Sequence, residues 1–107
     1  MAKKTIPQLK QHLEGFETFK KVGHNRLEVH FNENRKGYTL HNTTVVLVDE
    51  GSHTIRLDSG GFHTVTTAKA MNEGLQHFGI HGIVNRKGGV LHFNGTPFKG
   101  DTLEVRF

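Results

Sequence analysis

The sequence predicts an α+β domain in which a mostly antiparallel sheet of about five to seven short strands is covered on one face by two helices, over residues 6–21 and 66–78. Three observations carry that expectation. Apolar residues recur at helical spacing in two separate windows, and between and after those windows they alternate at every second position. Glycine is frequent, at 13 residues, while hydrophobic content is only 34%, which suits short strands and tight turns better than a helical bundle. The length of 107 residues admits a single domain, residues 1–107, and is too short for two independent cores.

The first helix has Thr5 as a cap and Pro7 in its first turn, where a missing N–H is harmless. Ile6, Leu9, Leu13, Phe16 and Phe19 then keep helical spacing, and the helix ends near Lys21, before Gly23. Leu27, Val29 and Phe31 alternate with Glu28 and His30 as a strand, and residues 32–37 are rich in turn formers. Between Tyr38 and Val48, the β-branched run from Thr43 to Val48 is the strongest strand signal in the chain and belongs in the middle of the sheet. A Glu50-Gly51 loop would set Val46 opposite Ile55 and Thr44 opposite Leu57. A second turn at Ser59-Gly60 would set Leu57 opposite Phe62 and Arg56 opposite His63, completing a three-stranded meander. Thr66 or Thr67 then caps the second helix, whose apolar side is Ala68, Met71, Leu75 and Phe78 and whose stop is Gly79. Ile80–Val84 and Val90–Phe93 read as a hairpin with the basic tip Asn85-Arg86-Lys87-Gly88-Gly89, and Thr102–Phe107 as a last alternating strand.

The sequence argues against most enzyme classes. With no cysteine, disulfides, thiol catalysis and cysteine-containing zinc motifs are all removed. The nine histidines are scattered; His77 and His81 have ligand-like spacing, but Gly79 and Gly82 break the helix that would present them together, so no metal site is expected. The serines are Ser52 and Ser59, both in turns, and the glycines form neither a nucleophile elbow nor a phosphate-binding loop. No cofactor is implied, and a non-enzymatic protein is expected. No run approaches the roughly 20 apolar residues that span a bilayer, so a cytoplasmic protein without a membrane partner is expected.

The charge pattern points to an anionic partner. Formal net charge is +4, and the excess lies in residues 1–40, which hold eight basic and four acidic groups. Lys3, Lys4, Lys20, Lys21, Arg26, Arg35 and Lys36 are therefore expected to form a phosphate-contacting surface, with Tyr38 beside them to stack on a base and Arg86 and Lys87 adding charge from a hairpin tip. A second candidate anion site combines Arg56 and His63 on one strand face with the helix start at Thr66, Thr67 and Lys69.

The stretch His41-Asn42-Thr43-Thr44-Val45-Val46, then Ile55 to Phe62 with its Ser59-Gly60-Gly61-Phe62 turn, then Thr64-Val65-Thr66-Thr67-Ala68-Lys69-Ala70-Met71-Asn72, resembles a family of short, largely uncharacterised proteins of tailed bacteriophages. The resemblance covers about a third of the chain. In that family a basic residue usually precedes the Met-Asn pair, where this chain has Ala70, so one cation of the first helical turn is missing. The resemblance implies a small phage accessory protein acting in a bacterial host cytoplasm, and implies no reaction. The expectation that follows is a module that binds nucleic acid through its basic N-terminal third. Its alternative is a protein-binding inhibitor or modulator of a host or defence enzyme, with self-association through an open sheet edge as a further possibility.

Overall fold

A computed structural model describes residues 18–31, 34–41 and 43–107. Alternating apolar residues build five strands that run up and down in succession: β1 (Thr18–Gly23), β2 (Arg26–His30), β3 (Arg35–Leu40), β4 (Thr43–Asp49) and β5 (Thr54–Asp58). The chain then leaves this sheet for helix α1 (Val65–His77) and a small second sheet of β6 (Val84–Lys87), β7 (Val90–Phe93) and β8 (Thr96–Pro97). It returns as β9 (Thr102–Arg106) to pair with β5, so the main sheet has the order β1-β2-β3-β4-β5-β9 and all its pairings are antiparallel. The class is α+β with a mostly antiparallel sheet, as the sequence predicts, and the described residues contain one helix.

The core lies between the main sheet and the elements inserted before β9. Tyr38, Leu40, Val46, Val48, Ile55 and Leu57 form one buried cluster with Ala68, Ala70, Met71 and Leu75 of α1 and with Val84, Leu91 and Phe93 of the small sheet. Burying each of the larger aliphatic side chains contributes about 1.5–3 kcal/mol, so this layer is the main source of stability. On the other face Val29 is fully buried, with Phe19, Leu27 and Phe31 packed around it. Strand β2 thus turns Leu27, Val29 and Phe31 away from α1. Its other side carries Arg26 and Glu28, which bond to residues of α1.

Helix α1 has well-defined ends. The Thr64 hydroxyl accepts the Thr67 N–H at 3.1 Å, an ordinary N-cap, and at the far end the N–H groups of Gly79 and Ile80 return to the carbonyls of Gln76 and Leu75. The stop at Gly79 is as predicted, while the cap is Thr64 and not Thr66 or Thr67. Gly74 faces the sheet, where a Cβ would lie 2.9 Å from both Cβ and Cγ of Tyr38, so its lack of a side chain sets how closely α1 approaches β3.

The structure corrects four further expectations about the strands and turns. Residues 18–21 of the predicted first helix are strand β1, with Phe19 opposite Val29 and Lys21 opposite Leu27; residues 6–17 of that helix lie outside the described residues. Pairing with β2 through the His24-Asn25 turn packs a half-buried Phe19 against Val29, a gain that outweighs the local helical spacing. Strands β4 and β5 pair with Val46 opposite Leu57 and Val48 opposite Ile55. The loop is longer than Glu50-Gly51 because Asp49 accepts the N–H groups of Gly51 and Ser52 and closes a wider turn. Residues 62–65 form no strand on β5, whose partner is β9, with Arg56 opposite Glu104. Finally, Asn85, Arg86 and Lys87 belong to β6 itself, and Gly88-Gly89 alone makes the hairpin turn.

Candidate nucleic-acid interface

The Ser59–His63 segment, expected to turn at Ser59-Gly60 and to pair as a strand from Phe62 onward, is a loop fastened from several sides. Gly60 and Gly61 take φ of 63° and 91°, which lets the chain reverse so that the Phe62 N–H returns to the Ser59 carbonyl at 3.1 Å. The Gly60 N–H donates to Asp58 and the Gly61 N–H to the Ser59 hydroxyl. The Ser59 N–H and hydroxyl both donate to Asp101, its carbonyl and its carboxylate respectively. On the other side the Leu91 N–H donates to His63 Nδ1 at 3.1 Å, and Arg86 Nε donates to the His63 carbonyl at 2.9 Å. With Nδ1 as acceptor, Nε2 carries the ring proton and faces the Asp101 carboxylate 3.4 Å away.

This bracing presents Phe62 to solvent at 66% exposure, and Val65, at the start of α1, at 69%. Lys69 lies four residues beyond Val65 on the same exposed face of the helix. Arg86 is held against the loop one residue from Phe62, and Lys87 stands at the same end of the hairpin on its outer face, opposite Val90. Lys69, Arg86 and Lys87 make no ion pair among the described residues.

The N-terminal cations are placed differently. Lys3 and Lys4 lie outside the described residues. Lys20 and Lys21 are exposed on β1, an edge of the main sheet. Arg26 Nε meets Glu73 Oε1 at 3.0 Å, Lys36 Nζ meets Glu50 at 2.9 Å and lies over the Phe78 ring, and Arg35 stands 3.9 Å from Asp49 and over the Phe31 ring. Three of the expected phosphate ligands therefore already face a carboxylate. Tyr38 is 5% exposed, its ring packs beside His77 and Phe78, and its hydroxyl donates to Glu73 at 3.2 Å. Burial pushes its phenol up, and no base can reach its face, which corrects the stacking role read from sequence.

The Arg56–His63 anion pair is not assembled either. Arg56 faces Glu104 on β9, while His63 is occupied by Leu91 and Asp101. Thr67 is 3% exposed with its hydroxyl on Thr64, so of the residues proposed at the helix start Thr66 and Lys69 are at the surface.

One cluster lies outside every sequence-based expectation. The Glu28 carboxylate is shared by two imidazoles: His77 Nε2, at the end of α1, bonds Oε1, and His30 Nε2 bonds Oε2 at 2.6 Å. These hydrogen bonds, that of His77 first, hold the Glu28 carboxyl below its ordinary range. Among the described residues no group of three or more His, Asp or Glu side chains is arranged to hold a metal ion, and no helix is long and apolar enough to cross a membrane. The Glu28 cluster therefore reads as a tie between sheet and helix.

Comparison with protein-family models, with curated proteins and with solved structures gives no match.

Proposed function

We propose that the chain is a non-enzymatic nucleic-acid-binding module, a small accessory protein of the phage type that the 41–72 stretch resembles. The observation that carries this reading is the exposed, braced Phe62 with Val65, set beside Lys69, Arg86 and Lys87, cations that no carboxylate of the described residues neutralises. An unpaired cation is available to phosphate, whereas Arg26 and Lys36 must first give up Glu73 and Glu50. The working surface thus moves from the N-terminal third to the start of α1 and the β6–β7 hairpin, with Lys20 and Lys21 on the β1 edge as an auxiliary area.

Fluorescence anisotropy on nuclease-treated protein, with labelled single-stranded DNA, duplex DNA and RNA, tests the reading. The expected result is binding that weakens as salt rises and that is lost on charge reversal, Arg86→Glu with Lys87→Glu. Binding that is absent at low salt, or indifferent to salt, refutes it. The exposed apolar side chains Phe62, Val65, Ile83 and Val90 also support the second reading, a contact surface for a bacterial protein. Stoichiometric retention of one protein from nuclease-treated lysate, with no binding of nucleic acid, would favour it.

A further inference from the structure

Among the described residues Phe62 is the most exposed aromatic side chain. A large aromatic ring stands two-thirds exposed on a loop that is tied to β7 through the His63 ring and, through its backbone, to Arg86, Asp58 and Asp101. Left to itself, an exposed phenylalanine on a mobile loop folds back onto nearby apolar surface, because water disfavours its exposure. Here the hydrogen bonds at Gly60, Gly61, His63 and Ser59 keep the ring out, so its position is fixed before any ligand arrives.

Its chemistry narrows the ligand. Phenylalanine has no donor or acceptor with which to read a base edge in a groove, and in a duplex the faces of the bases are already covered by their neighbours. An unpaired base, by contrast, offers a bare face, and stacking on an aromatic ring tolerates any sequence. The surrounding charge fits the backbone of such a strand. Arg86 lies one residue away, Val65 adds apolar surface, and Lys69 follows on the same helical face. The nearby carboxylates, Asp58 and Asp101, are engaged in hydrogen bonds from the loop itself.

We infer that Phe62 is a stacking platform for an unpaired base, with Arg86 and Lys69 receiving the adjoining phosphates, so that the ligand is single-stranded nucleic acid and not duplex. The inference rests on the nucleic-acid reading above and adds to it the strandedness and the residue that recognises it.

The test compares the full-length chain with its Phe62→Ala and Phe62→Tyr variants on a short single-stranded oligonucleotide and on the matching duplex, at low salt. Phe62→Ala should weaken single-strand binding roughly 10-fold or more, Phe62→Tyr should retain it, and the duplex should bind more weakly than the single strand throughout. The chain contains no tryptophan, so Phe62→Trp places a sole indole at the site, and its fluorescence should be quenched on adding the single strand and unchanged on adding duplex. Thermal melting of the variants at the wild-type temperature excludes a folding defect, as the exposed position leads one to expect. If single strand and duplex bind equally and Phe62→Ala is without effect, the inference falls and the nucleic-acid reading stands. If the wild-type chain binds neither, both fall together, and the Phe62 surface is left to a protein partner.

Discussion

Glu28 ties together two elements that are 49 residues apart in the chain, since its carboxylate receives His77 from the end of α1 as well as His30 from its own strand. Its cross-strand neighbours are Lys20 on β1 and Tyr38 on β3, so a cation and a phenol face it from the flanking strands. Because the folded carboxyl lies below its ordinary value of 4.5, the unfolded chain takes up a proton first as pH falls. The stabilisation is therefore complete above the unfolded value and is lost as pH drops through the folded one. Glu28→Gln should lower stability near pH 7 by about 1 kcal/mol, less than the roughly 1.5–3 kcal/mol of a charge-assisted hydrogen bond because both rings are partly in water. It should also flatten the loss of melting temperature on acidification below about pH 5. An unchanged acid profile in the variant would show that other carboxylates govern it. At this scale the sequence was least informative. Arg26 has no acidic neighbour at helical spacing, and the partners of Arg26 and Lys36, Glu73 and Glu50, become visible only once α1 is laid on β2 and the β3–β4 hairpin closes.

Elements whose determinants are local were legible; those defined by a distant partner were not. Helix α1 shows in the sequence because its apolar spacing and the Gly79 stop all fall within one window. Strand β1 carries the same Phe19 that suits a helical stripe, and only pairing with β2 decides against the helix. The Phe62 loop fails for a related reason. The natural partner for β5 in sequence is the next segment, but the chain inserts α1 and the small sheet first and supplies β9 instead. Ser59-Gly60-Gly61 then serves as an exit from the sheet, and Phe62 is left outside. Gly74 shows how a fold can override intrinsic propensity. In an isolated helix Gly74→Ala would gain about 1 kcal/mol. Here the added methyl meets Tyr38 at Cβ and Cγ, near the backbone where the side chain has little room to yield. Overpacking of this kind costs about 1–3 kcal/mol, so the variant should melt several degrees below wild type, and a rise in melting temperature would mean that α1 stands further from β3 than described.

For the whole molecule the useful quantity is the number of cations left over after folding, not the formal +4. Among the described residues Arg26, Arg35 and Lys36 face carboxylates, while Lys20, Lys21, Arg56, Lys69, Arg86, Lys87, Lys99 and Arg106 form no ion pair. Five of these occupy two areas: Lys20 and Lys21 on the β1 edge, and Lys69, Arg86 and Lys87 around the start of α1 and the β6–β7 hairpin. A single strand that used only the second area would release counterions from about three phosphates. The logarithm of its binding constant should then fall against the logarithm of salt concentration with a slope of roughly −2, at about −0.7 per phosphate. Using both areas would steepen the slope to roughly −3.5. Substituting Lys20 and Lys21 with alanine separates the cases. If the slope stays near −2 in wild type and variant alike, the β1 edge is a solvated, charged margin of the kind that keeps sheet edges from pairing. A slope that starts steeper and relaxes in the variant puts the edge in contact with the strand, so that one ligand spans both areas. A wild-type slope steeper than roughly −3.5 exceeds what these five cations supply and brings in further cations, and alanine substitution of Lys3 and Lys4 against that of Arg56, Lys99 and Arg106 shows whether the N-terminal third regains part of its expected role.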